Sequence, residues 1–464
     1  MKLNQRQVQH LYWRAGFGPA YPEAIQAAGK SAEALTDELF AQSAKPAYLK
    51  VVDEEKFSYV QMNKYTEEEK KKLRTEARKA WTALNLAWIQ QLGAAQTPLR
   101  EKMTLFWHGH FATSESQPLL MQVQNNTIRQ HALGNFRTLL VAIAKDPAML
   151  RYLNNLANKK QSPNENFARE VMELFTLGRG HYTENDIKNA ARAFTGWKYN
   201  DNLDFVEVQK QHDTGEKTFL GQTGAFSGED VLDIILAQKQ TARFIARKIY
   251  KFFVNVEVVD DAIVAQLADI FYDSDYDIGT LMRSIFTAEW FYHEKNIGQQ
   301  IKSPVVFIAG LQHAFGIEFP QDESLIYLQK ILGQTLLAPP NVAGWPEGRE
   351  WIDSSTLMFR TKLPELIFNA SQLTEEAKDN GDVMDPSNTG KKPGKIEARI
   401  QWDRFAENFS ALPREDLPAA LSNYMLQHPV NSKLIIDGLG KLSEEELIKE
   451  MVRRITYFPE FQLC

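Results

Sequence analysis

Residues 66–92 read TEEEKKKLRTEARKAWTALNLAWIQQL. Thr66 is a helix N-cap residue, and three glutamates fill the first turn, where the positive end of the helix dipole favours acid. Glu67–Glu69 and Lys70–Lys72 stand three and four residues apart, the spacing of ion pairs along a solvated helix face, so this charge run is no nucleic-acid patch. Trp81, Leu84, Leu86 and Trp88 then supply the apolar positions of a helix packed on one side. The stretch therefore reads as one long helix, polar at its start and buried at its end.

The same signals recur outward in both directions. Helices are predicted at about 97–109, 118–133, 135–145, 164–177 and 183–194, and again at about 229–238, 240–253, 260–272, 277–288, 303–315 and 324–332. Thr97-Pro98, Ser162-Pro163-Asn164, Thr183-Glu184 and Ser227-Gly228-Glu229 are start signals for four of them. Strand material is thin: LDFVEVQ, residues 203–209, alternates and suits one arm of a small hairpin or lid. With neither βαβ alternation nor a fixed repeat, the expected fold is mostly α: a large multi-helix orthogonal bundle with at most a small β-hairpin near residues 200–220. Residues 1–374 read as the main helical body. Residues 375–397, polar and interrupted by Gly381, Gly390, Gly394, Pro386 and Pro393, read as a flexible linker. Residues 398–464 read as a small C-terminal helical segment packed on the body.

Composition narrows the function classes. Of 464 residues, 44% are hydrophobic and 24% charged, ample for a core and incompatible with wholesale disorder. A net charge of −6 argues against nucleic-acid binding, which needs a basic excess. One cysteine, Cys464, excludes an intrachain disulfide and a cysteine-based zinc site, and makes no credible catalytic nucleophile. No window of about 18 apolar residues suits a membrane span, and the N-terminal MKLNQRQVQHLYWRAGFGP lacks the apolar stretch of a secretory signal. The expected location is cytoplasmic by default, with export left open.

Five segments carry a family resemblance. They are HLYWRAGFGP from His10, KMTLFWHGHFATS from Lys102, NENFAREVMELFTLGRGHYTENDIKNAARAFTGW from Asn164, PPNVAGWPEGREWIDSSTLMFR from Pro339, and the tail PEFQLC from Pro459. Together they resemble the bacterial domain of unknown function 1800 family across nearly the whole chain. The resemblance brings no established mechanism. It implies at most a sulfatase-like protein as partner.

The sharpest chemical feature is Trp107-His108-Gly109-His110. A His-x-His pair can chelate zinc or another divalent transition metal where the backbone is extended; on a regular helix the rings diverge by about 200°. Gly109 is expected to end the helix, which would let His110 rejoin His108 around a metal. The alternative is a satisfied core histidine beside a helix cap. Glu170 and Glu173 share a helix side at i,i+3 and could bind a metal or exchange protons. Against this, Arg169 is spaced to neutralise Glu165 and Glu173. His212 with Asp213, in a polar loop, is a further candidate, weighed against a solvent-facing turn. Thr183 and Asp186 form a capping box, a structural role. In the 339–360 segment Trp345 and Trp351 offer aromatic surface for a substrate pocket, with Asn341, Arg349 and Arg360 as its polar groups, or else staple a long loop to the body. Gly221–Gly228 lacks the ending of a phosphate loop, and Asp273–Asp277 lacks the glycine of a calcium loop.

Two functions follow as expectations. One is a metal-dependent or acid–base hydrolase, with His108 and His110 as ligands and Glu170, Glu173 and His212 as catalytic groups. The other is a non-catalytic helical binding or assembly protein acting with a partner. Convergence of His108, His110 and Glu170 in one pocket would separate them.

Overall fold

A computed structural model describes residues 1–57, 66–320, 322–369, 396–440 and 442–464. Among them are 21 α-helices and two two-stranded antiparallel sheets, so the fold is mostly α. The sheets are hairpins: Trp197–Tyr199 pairs with Phe205–Glu207, and Lys217–Phe219 with Gln222–Gly224. No helix among the described residues is long and apolar enough to cross a membrane.

The opening stretch is a single helix, Glu67–Ala94. Thr66 caps it by accepting the Glu69 N–H, while the Glu69 carboxylate accepts the Thr66 N–H in return. Trp81, Leu84, Leu86 and Trp88 are all buried. Most other predicted helices match the observed ones to within a few residues, because cap residues mark their starts. The capping box of Thr183 and Asp186 is present as well. The helix expected over 164–177 departs from the regular pattern: Asn166–Glu170 is α, and Val171–Thr176 widens into a π turn.

Apolar side chains gather in two clusters. The first takes residues from the N-terminal helices and from about 99–292; the second joins Glu67–Ala94 to Pro304–Phe315, Asp322–Leu332, Ser354–Asn369 and the C-terminal helices. The last segment is tied in by hydrogen bonds too, from Gln9 to Asn423 O and from Tyr424 OH to Pro19 O. Residues 375–395 of the expected linker lie outside the described residues; of its last two, Ile396 is buried in the second cluster.

The helix Pro98–His110 lies where the clusters meet, giving Met103, Phe106 and Trp107 to the first and Leu105 to the second. Every residue from Leu99 to His108 is buried. A helix sunk on all sides must satisfy its charges internally. Arg100 donates to the carbonyls of Ser43, Ala44, Arg129 and Gln130. Glu101 accepts from Trp88, Gln91 and Arg129.

Candidate functional site

Gly109 does not end its helix. The helix runs through it to His110, so the imidazoles of His108 and His110 leave in different directions. The Gly109 carbonyl oxygen is instead approached closely by Gly344, where a Cβ would lie 2.5 Å from it. His108 packs against the rings of Trp88 and Trp345, and its Nε2 accepts the Leu337 N–H at 3.2 Å. Burial, aided by Arg129, depresses it to about 3. His110 donates from Nε2 to Phe175 O at 3.0 Å, a carbonyl in the last turn before the helix ends at Thr176. Burial first, then Lys248, holds His110 well below the usual histidine value.

The remaining candidates are spread over the fold. Glu173 is held by Arg179 Nε at 2.5 Å and Tyr182 OH at 2.7 Å, which keep its carboxyl low. Glu170 is half-buried, and burial plus the Glu173 charge raise its carboxyl. Arg169 pairs with Glu165 and Glu184 rather than with Glu173. His212 bonds Thr195 O through Nδ1 at 2.9 Å, and Asp213 pairs with Arg192. Among the described residues no group of three or more His, Cys, Asp or Glu could hold a metal ion.

A different site emerges beside His110. It is an open cavity of about 120 Å³. Arg14, Lys102, Lys248, Lys251 and Lys302 line it, together with the aromatic side chains of Trp13, Phe106, Phe252, Trp345 and Trp351. Thus Trp345 and Trp351 do border a pocket. Arg360 lies fully buried behind Lys302, donating to its carbonyl at 2.9 Å, whereas Asn341 is exposed and turns back to cap the Ala343 N–H. Arg349 extends into solvent and pairs with Glu257. Glu170, Glu173 and His212 are not among the lining residues.

The cavity is built by segments far apart in sequence. The helix Gln5–Ala15 brings Trp13 and Arg14, Pro98–His110 brings Lys102 and Phe106, and Lys239–Phe253 brings Lys248, Lys251 and Phe252. Lys302 precedes the helix Pro304–Phe315, where an antiparallel bridge between Ile301 and Leu463 also delivers Cys464 to the lining. Four of the five segments that carry the family resemblance meet here; the 164–197 segment does not.

Its electrostatics are one-sided. Glu347 is the one carboxylate side chain in the lining, and it is taken by Lys251. Arg14, Lys102 and Lys302 are 2–4% exposed, and none of them pairs with an Asp or Glu among the described residues. Their donors go to backbone carbonyls instead. Arg14 donates to Asn296 O, Lys102 to Trp13 O and Gly16 O, and Lys302 to Phe461 O. One group, Cys464, offers an opposite charge to all three. Burial accordingly pulls Arg14 down to about 10, Lys302 to about 8 and Lys102 to about 7. Arg14 Nε has no hydrogen-bond partner. Sequence reasoning singled out none of these cations, because which charges are buried depends on how distant segments pack. The available signal was the charged triplet Arg100-Glu101-Lys102, which runs directly into the apolar stretch from Met103 on the same helix.

Fold and cavity define a mostly helical protein with a cationic, aromatic-walled pocket at the seam of two cores. The chain matches, over residues 10–463, the family described as a protein of unknown function, DUF1800, and belongs to it. No curated protein and no solved structure matches it.

Proposed function

We propose that the chain binds, in this cavity, an anionic ligand with an apolar or aromatic body, as a binding protein of the non-catalytic kind. One observation carries this: three buried cations share at most one counter-charge. A buried charge is expensive unless paired. A ligand carboxylate, sulfate or phosphate would supply the missing partner, and Trp345, Trp351 and Phe252 would cover its body. The meeting of four family segments at the cavity supports the same reading. A sulfatase-like partner belongs to this proposal on the resemblance alone.

The test is thermal unfolding of the purified protein in inorganic phosphate, sulfate, succinate and benzoate, each against sodium chloride of equal ionic strength. A saturable rise in melting temperature with at least one anion, lost in Lys302→Met, is expected. Identical melting in all of them would overturn the proposal.

Metal-dependent or acid–base hydrolysis is the second reading. The raised carboxyl of half-buried Glu170 is the observation that favours its acid–base form. Stoichiometric zinc in the purified protein, lost in a folded His108→Ala/His110→Ala variant, would put the metal form first.

A further inference from the structure

We propose that Lys102 is an amine nucleophile that captures a carbonyl compound as an imine inside the cavity. The choice of an anionic carbonyl compound rests on the anion-binding reading. The chemistry rests on a separate observation, the surroundings of Lys102 Nζ.

That nitrogen lies 3.1 Å from Trp13 O and 2.8 Å from Gly16 O. A neutral amine has two N–H bonds and a lone pair, so two carbonyl acceptors satisfy it and leave the lone pair for reaction. An ammonium would carry a third N–H. The rings of Phe17 and Phe252, at 5.1 and 5.8 Å, take the place of water around it. Burial brings Lys102 down to about 7 against the opposing charge of Cys464, and Arg14 pushes in the same direction as burial. Desolvation beside a second cation is the general way an enzyme makes lysine nucleophilic near neutral pH.

Lys302 supplies the complementary acid. Its Nζ has one carbonyl acceptor, Phe461 O, and rests on the Trp13 ring 4.0 Å from the centroid. Trp13 therefore has Lys102 at its carbonyl and Lys302 at its ring face. Lys302, at about 8, keeps its proton more readily.

The step balances without a co-reactant. The Lys102 nitrogen attacks the carbonyl carbon and forms a C–N bond, and the proton it loses goes to the former carbonyl oxygen. The resulting hydroxyl leaves as water with a proton from the Lys302 ammonium while the nitrogen lone pair closes the C=N bond. The iminium proton then returns to Lys302. Arg14 and Lys248 supply positive charge for a carboxylate next to the carbonyl, which makes a small 2-oxo acid or aldehyde acid the ligand class.

The experiment treats the full chain with glyoxylate and cyanoborohydride and maps the reduced adducts by peptide mass spectrometry. Lys102 should be modified on the order of tenfold or more faster than exposed Lys71 and Lys72, because Lys102, at about 7, is largely a free amine at pH 7.5. Lys102→Arg should lose the adduct while keeping the melting shift in phosphate; should that variant not fold, the wild-type map decides alone. Adducts spread over exposed lysines with Lys102 unmodified overturn the inference. A phosphate shift without a Lys102 adduct overturns it and leaves the anion-binding reading standing, and loss of both overturns both. A fast Lys102 adduct without any anion effect sustains the nucleophile and removes the anion-binding reading.

Discussion

Glu101 and Arg129 meet through two parallel hydrogen bonds, Nε to Oε1 at 2.7 Å and Nη2 to Oε2 at 3.1 Å, with side chains 1% and 0% exposed. Trp88 and Gln91 donate to the same carboxylate, at 3.0 and 2.8 Å. All the oxygen capacity of Glu101 is used, the condition under which a buried ion pair holds. Removing one partner strands the other. Glu101→Gln should lower unfolding stability by about 3–5 kcal/mol, read as a lower urea midpoint. A midpoint within error of wild type would show that Arg129 finds other partners.

Ligand binding should take up protons. Lys102 and Lys302 are pulled down to about 7 and about 8, and an anion beside them restores the charged form. Sulfate, which does not titrate in this range, should therefore bind with proton uptake at pH 8, where both lysines are partly neutral. At pH 5.5 both are already charged and the uptake should vanish. Calorimetry in buffers of different ionisation enthalpy measures this, and pH-independent uptake would detach the lysines from the site.

Asp146 gives stability a pH slope of unusual sign. It caps the helix Pro147–Tyr152 through the Met149 N–H and accepts from Gln124, yet burial pushes its carboxyl up to about 7. Unfolded, it titrates near about 4. Between these values the folded protein holds the extra proton, so this contribution is full below about pH 4 and is lost as pH rises to 7, on the order of 1 kcal/mol per unit. Asp146→Asn should flatten that part of the slope. Urea midpoints of both proteins at pH 4.5, 6 and 7.5 would show it; parallel curves would contradict it.

Gly344 adopts φ +90°, and a Cβ there would strike the Gly109 carbonyl oxygen. Gly344→Ala should cost about 1–3 kcal/mol and draw Trp345 off the cavity wall. The melting shift with anions should shrink in the same variant. A full shift in a destabilised protein would separate the loop from the site.

Much of the fold was legible in sequence because its signals are local. Thr66 with Glu69, and Thr183 with Asp186, mark their helices within four residues of chain. Gly109 misled because a glycine near an expected helix end looks like a terminator, while its actual neighbour, Gly344, lies more than 200 positions away. Trp345 and Trp351 were identified as pocket candidates by aromatic density. Arg14, Lys102 and Lys302 were not, since burial of a charge depends on the packing of five distant segments. The π turn at 171–176 left no trace in composition; it shows in the backbone, where the Leu177 N–H reaches back five residues to Met172 O.

The helix Pro98–His110 contributes side chains to both hydrophobic clusters, so neither cluster can lose its contacts without exposing half of that helix. The two halves are thereby committed to melt as one cooperative unit. Its backbone amides should be among the slowest in the chain to exchange with solvent, opening only when the whole molecule does.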